Sequence, residues 1–212
     1  MLKHYNLLFA IVSLIFITVS QTARAEETAN LLDNYLKGFD NVQANFKQTL
    51  LNEHGEEIEK SSGIVYMQRP GKFRWDYKEP YKQMIITNGQ TLWLYDQDLE
   101  QVTIKDISKS IENTPAAILS GQENIKEVFV IVDMGEIDGF HWIELTPRDI
   151  ENQYTSVRLG FNNNDLGMMI LFDSLGQTTR IDFSGTQRNE KIDEILFTFD
   201  PPTGVDVIDD RG

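Results

Sequence analysis

From residue 28 to 39, in TANLLDNYLKGF, apolar side chains fall at Leu31, Leu32, Tyr35, Leu36 and Phe39. That spacing sets them on one stripe of a helix. Thr28 is placed to cap its start and Gly38 weakens its end. The period then drops to two: Val42, Ala44, Phe46 and, past Gln48, Leu50 alternate with polar residues. Segments 64–68, 72–78, 83–87, 91–95 and 101–104 are strand-like, and TNGQ (87–90) and YDQDLEQ (95–101) are turn signals between them. Short strands joined by short turns predict antiparallel meanders. Residues 112–122, ENTPAAILSGQ, interrupt the pattern. Thr114 is a candidate N-cap, Pro115 suits the first helical position and Gly121 a stop, so Ala116, Ala117, Ile118 and Leu119 predict a short apolar helix. Strands resume at 125–133, 140–146, 154–161, 168–173, 177–186 and 196–200, with hairpin turns at FNNNDLG and DSLGQ. The chain reads as one domain of about eleven antiparallel strands with one helix at its start and another in the middle.

The stretch YMQRPGKFRWDYKEPYKQ, 66–83, carries the strongest alternation. Phe73, Trp75 and Tyr77 take one side of a strand, and Arg74, Asp76 and Lys78 the other. Neighbouring segments offer similar stripes: Met84 and Ile86, then Leu92 and Leu94, or at the opposite parity Trp93 and Tyr95. A packed core explains an inward aromatic stripe. The element count adds a second reading, because two helices are few to cover the apolar face of so many strands. A sheet that curls part-way round under a helical lid would enclose an apolar cavity suited to a lipid tail.

The N-terminus changes the domain picture. A basic start at Lys3, an apolar run over 7–19 and a polar stretch ending in Ala23-Arg24-Ala25 match a secretory signal peptide with a small-x-small cleavage site. The run is short of the roughly 20 apolar residues a membrane span needs. The expectation is a signal at 1–25, cleaved after Ala25, and a mature domain at 26–212 in the periplasm. Removing the positive Lys3 and Arg24 takes the formal net charge from −14 to −16. Such a charge disfavours nucleic acid and anionic membrane surfaces. With no cysteine, the chain must be held by a core and cannot be anchored through a lipidated cysteine.

Reactive groups are sparse. The mature chain has two histidines, His54 in a turn-like LNEHGEE and His141 beside Trp142. There is no G-x-S-x-G elbow, no H-E-x-x-H and no phosphate-cradling glycine loop. NNND at 162–165 lacks the spacing of a calcium loop. No metal site, cofactor or catalytic residue is expected, and the chain reads as a binder rather than an enzyme.

RPGKFRWDY, NGQTLWLYDQDLEQVT, NTP followed by an apolar helix, and FTFDPPTGVDVI, in that order, closely resemble the outer-membrane lipoprotein carrier family, LolA. The resemblance implies a mainly β fold, an incomplete antiparallel barrel covered by a lid of short helices. It implies a non-catalytic periplasmic carrier, working as a monomer, that takes triacylated lipoproteins from a LolCDE-type ABC transporter in the inner membrane to a LolB-type receptor at the outer membrane. It also implies a role for Arg69, which would close the lid by hydrogen bonds to backbone around Leu36 and around Leu119 and Ser120. An arginine suits that role because it keeps its charge and offers five donors. Phe73 matches a position at the cavity mouth. Trp75, Tyr77, Leu92, Leu94, Phe46 and Ile118 complete the expected cavity lining. Two alternatives remain open at this level: another lipid-binding or sensing module on the same fold, and a periplasmic hydrolase, which would require a nucleophile and base involving His54 or His141.

Overall fold

A computed structural model describes residues 32, 38, 40–107, 125–149, 154–163 and 165–211. Twelve strands form one sheet: β1 (Asn41–Leu51), β2 (Glu57–Gln68), β3 (Lys72–Glu79), β4 (Gln83–Asn88), β5 (Thr91–Asp96), β6 (Gln101–Asp106), β7 (Phe129–Ile137), β8 (Phe140–Pro147), β9 (Tyr154–Asn162), β10 (Asp165–Asp173), β11 (Thr178–Arg188) and β12 (Asp206–Asp210). A short helix α1 (Ile125–Val128) precedes β7, and a 3₁₀ turn (Glu194–Phe197) follows β11. The order across the sheet is β12-β6-β5-β4-β3-β2-β1-β11-β10-β9-β8-β7. The two end strands do not pair with each other, so the barrel is incomplete, as the sequence leads one to expect.

The meander follows from its turns. Asn88 Oδ1 accepts from the N–H of Gln90 and Thr91, and Asp96 Oδ1 from the N–H of Asp98 and Leu99. Asp173 Oδ1 does the same for Leu175 and Gln177. Short side chains that bond to backbone two to four residues on set tight reversals, which in turn set antiparallel neighbours.

Three expectations need correction. Residues 125–133 do not form one strand, because α1 takes the first four. Ile125, Val128 and Phe129 have helical spacing as well as apolar character, and Ile125 is buried from the helix. Residues 196–200 are not a strand either. Asp193 caps the 3₁₀ turn by accepting from Ile195 N–H at 3.1 Å, and Pro201 and Pro202 follow without ladder donors. The last strand is instead β12, which runs parallel to β6, so the sheet is not wholly antiparallel.

Register shows which side chains share a face, since residues directly opposite project together. Trp75 lies opposite Val65 on β2 and Ile85 on β4, and Ile85 lies opposite Leu94. Phe46 lies opposite Phe183, and Leu171 links Thr179 to Val157 and then Leu145. One continuous apolar face therefore runs from β5 to β8. Its core includes Leu32, Val42, Phe46, Val65, Phe73 and Trp75. Met84 and Ile86, which alternation grouped with similar stripes, lie on the opposite face, with Trp93, Tyr95 and Val102.

That outer face has a core of its own. Phe197 of the 3₁₀ turn is buried, as are Ile86 and Val102 beneath it in the sheet. Phe199 packs on Tyr95 with ring centroids 5.2 Å apart. Arg74 joins the sheet to the turn: its Nε lies 2.7 Å from Asp76 Oδ1 and its Nη1 donates to Leu196 O at 3.3 Å. Both partners are largely shielded, with side chains 17% and 20% exposed, so this pair is screened less than a surface ion pair.

Inside the sheet the rings crowd against backbone. Phe46 sits 5.1 Å from Trp75 and 5.0 Å from Tyr77 between centroids. They fit because residue 63 is glycine: a Cβ there would lie 1.8 Å from Asp76 O and 2.9 Å from the Phe46 ring. Gly63→Ala is therefore expected to cost about 1–3 kcal/mol by overpacking, read as a lower urea midpoint at unchanged slope.

The Tyr77 hydroxyl donates to Gln48 Oε1 at 3.1 Å. Burial, then Tyr154 and Glu59, push its pKa well above the ordinary tyrosine value. The folded chain thus keeps the proton in a pH range where the unfolded chain releases it. This contribution to stability is intact below pH about 10 and is lost as pH climbs from there through the folded pKa. Equilibrium unfolding against pH should show a decline approaching about 1.4 kcal/mol per pH unit above that point, and Tyr77→Phe should remove this share of the slope.

Candidate functional site

The sequence-predicted residues divide cleanly by position. Phe46, Phe73, Trp75, Tyr77, Leu92 and Leu94 all belong to the inner face. β3 supplies three and β5 two of them at two-residue spacing, and β1 supplies Phe46, so the pleat aims them inward. Phe73 is 1% exposed and lies opposite Met67 and Thr87, placing it beneath the surface of the apolar layer. Leu36, Ile118, Leu119 and Ser120 lie outside the described residues. Leu32, in the first predicted helix, is fully buried in the same core as Phe73 and Trp75. Ile107, just past β6, joins that core too.

Arg69 stands in the turn from β2 to β3, half-buried, with its Nε and Nη2 atoms enclosed. Its backbone N–H donates to Asp40 O at 2.8 Å. Asp40 N–H in turn donates to Asn189 Oδ1 at 2.8 Å, and Asn189 N–H to Asn41 O at 2.9 Å. The Arg69 turn is thus tied to the entry of β1, directly after the first predicted helix, and to the end of β11. The Arg69–Pro70 peptide is cis, and Gly71 closes the turn at φ 69°. Lys72 points to the outer face and pairs with Glu194 at 3.1 Å.

Sequence reasoning missed several polar features of the inner face. Ser61 Oγ and Trp75 Nε1 are buried and have no hydrogen-bond partner among the described residues. An unmatched buried polar group costs about 1–3 kcal/mol, so each can gain from a partner that fills the space beside it. Near the far end of the face, Gln48, Ser61, Tyr77 and Ile85 help line a cavity of about 230 Å³. The period-two pattern does put Ser61 in step with Val65 and Met67; what it lacks is any sign that this polar residue is enclosed. Thr87, also on this face, is fully buried, and its Oγ1 accepts from Gly89 N–H at 3.0 Å.

The histidines sit apart from the aromatic stripe. His54 is exposed in the β1–β2 turn, its Nδ1 3.7 Å from Glu53. His141, on β8, has Nε2 2.9 Å from Asp133 Oδ1 and Nδ1 3.4 Å from Glu136 Oε1. Among the described residues no group of three metal-ligating side chains could hold an ion. What the arrangement offers is therefore apolar area with a few polar atoms set into it, which is the composition of a site that holds an amphiphile by burial.

Comparison with known proteins agrees with this geometry. The family described as outer membrane lipoprotein carrier protein LolA matches residues 37–200. An outer-membrane lipoprotein carrier protein of Methylococcus capsulatus is 42% identical over 190 residues, 89% of this chain and 91% of that one. Among solved structures, a LolA superfamily protein from Nitrosomonas europaea superposes with a TM-score of 0.51 at 16% identity, covering 83% of this chain and 98% of its own. A conserved protein from Thermus thermophilus superposes at 0.57 with 13% identity, over 85% and 97% of the two chains. The last two show a shared fold; the extended sequence matches go further, and the chain belongs to the outer-membrane lipoprotein carrier family, LolA.

Proposed function

We propose that this chain is a periplasmic carrier whose inner face takes up the acyl chains of triacylated lipoproteins. Its family is one of carriers, not of enzymes. The observation that carries the reading is the open sheet with a continuous apolar face, in a chain of that family. On this reading residues 1–25 are a signal cleaved after Ala25, and residues 26–212 work as one monomeric domain. The carrier receives its cargo from a LolCDE-type transporter and yields it to a LolB-type receptor.

The energetics require such a device. Burying one methylene is worth about 0.8 kcal/mol, so an acyl chain of about 15 methylenes resists entering water by about 12 kcal/mol. A carrier has to offset most of this and still release. Rings that already fill part of the inner face meet both needs, because cargo must displace side chains to enter and they close again as it leaves. Trp75 Nε1–H and the Ser61 hydroxyl are then placed to donate to ester carbonyls of the cargo. Arg69, tied through Asp40 to the end of the first predicted helix, is the lid-closing residue, with partners around Leu36 and around Leu119 and Ser120.

Native mass spectrometry of the mature protein from its own periplasm should show a one-to-one complex with a triacylated lipoprotein, dissociated by mild detergent. Free lipid alone, with lipoproteins abundant, would remove the carrier assignment. Arg69→Leu should still load cargo from the transporter but pass it to the receptor at least about tenfold more slowly, equivalent to about 1.4 kcal/mol of barrier. Transfer at the wild-type rate would mean that Arg69 does not govern the lid.

A further inference from the structure

The two free edges of the sheet differ in a way that bears on cargo. β12 has five residues, of which Asp206, Asp209 and Asp210 are acidic, and it pairs in parallel with Gln101 to Lys105 of β6. Short, charged edges are protected against pairing. β7 has nine residues, FVIVDMGEI, with neither lysine nor proline. Five of them, Phe129 to Asp133, pair in regular register with β8 before a bulge at Asp133/Gly135. No described strand pairs with the opposite side of β7. Val130 and Val132 on its outer face are 42% and 45% exposed.

β7 is also the rim of the cargo-holding face. Phe129 belongs to the core that contains Phe73 and Trp75, and Ile131 packs against it. An extended segment added to β7 would therefore leave the apolar layer by the shortest route along its border. Asp133 and the largely exposed Glu136 put negative charge at the bulged end of this strand. A second copy of the chain would bring the same acids and the same strongly negative net charge, so charge favours a segment with lysine or arginine among apolar residues.

We infer that β7 is a β-augmentation site for the cargo's own polypeptide: the extended, lysine- or arginine-bearing stretch that follows the acylated cysteine adds to the sheet as a thirteenth strand. This rests on the carrier reading above. Backbone hydrogen bonds along such an edge supply affinity with little dependence on sequence, which suits a carrier that must accept many polypeptides joined to one kind of lipid anchor.

The test places a photo-crosslinking p-benzoylphenylalanine at Val130, Val132 or, as control, the comparably exposed Val207 of β12. Each full-length variant is loaded with a triacylated lipoprotein carrying lysines just after its acylated cysteine. Crosslinks from β7 within about ten residues of that cysteine, about the length of one strand, with none from Val207, are expected. Cargo that co-purifies without crosslinks from β7, or with equal crosslinks from Val207, overturns the inference and leaves the carrier reading intact. Crosslinks from β7 to a second copy of the carrier also overturn it. Failure to bind cargo at all removes the carrier reading, and this inference with it. As a second measurement, Val132→Lys adds an edge-blocking cation and should weaken binding of the whole lipoprotein about tenfold while leaving tripalmitoyl-cysteine, which has no polypeptide, unaffected. Equal effects on both ligands would refute the site.

Discussion

A sheet whose first and last strands never meet must cover one apolar face with something other than itself. This constraint organises the molecule. Twelve strands curl far enough to bring Phe46 and Phe183 on the central strands into one layer with Leu145 near one end and Leu92 near the other, yet β7 and β12 stay apart. Leu32, within the first predicted helix, and Ile107, just past β6, are buried against that layer. The chain's family is one of lipoprotein carriers, and an unclosed sheet leaves its lining open along one side, which a closed barrel does not.

The opposite face braces the sheet independently of the inner layer. Phe199 packs on Tyr95, Phe197 is buried with Ile86 and Val102 on this side of the sheet, and the Arg74–Asp76 pair fastens β3 to the 3₁₀ turn through Leu196 O. Strands β3 to β6 are thus packed on both sides. The inner apolar face is backed by a small second core on the outer side of β3 to β6. The tight approach of Gly63 to Asp76 O belongs to the same scheme, since it lets the Phe46 ring lie against the sheet without prying β2 from β3.

Much of this was legible in the chain. The alternation at Phe73, Trp75 and Tyr77 is strict, with charged residues between, so the side that faces the apolar core was plain, while the second, charge-paired packing over Arg74 and Asp76 was not. The turn chemistry at Asn88-Gly89 and Asp96 fixed where the meander reverses. Local spacing was weaker where a segment satisfied two periods. Ile125, Val128 and Phe129 suit a helix or a strand, and the apolar run from Leu196 reads as a strand although the structure caps a 3₁₀ turn there with Asp193.

What the sequence by itself determined was therefore the secondary structure of strictly alternating segments and, through several motifs in order, the family. Only the tertiary structure decided which parity faces inward where both are apolar. Met84-Ile85-Ile86 and Leu92-Trp93-Leu94-Tyr95 offer hydrophobic side chains to either side, so cross-strand register with Trp75 had to choose Ile85, Leu92 and Leu94 for the inner face. The same holds for β12, whose parallel partner β6 lies about a hundred residues earlier in the chain. Alternation is a property of neighbours in sequence, and a partner that distant leaves no mark on it.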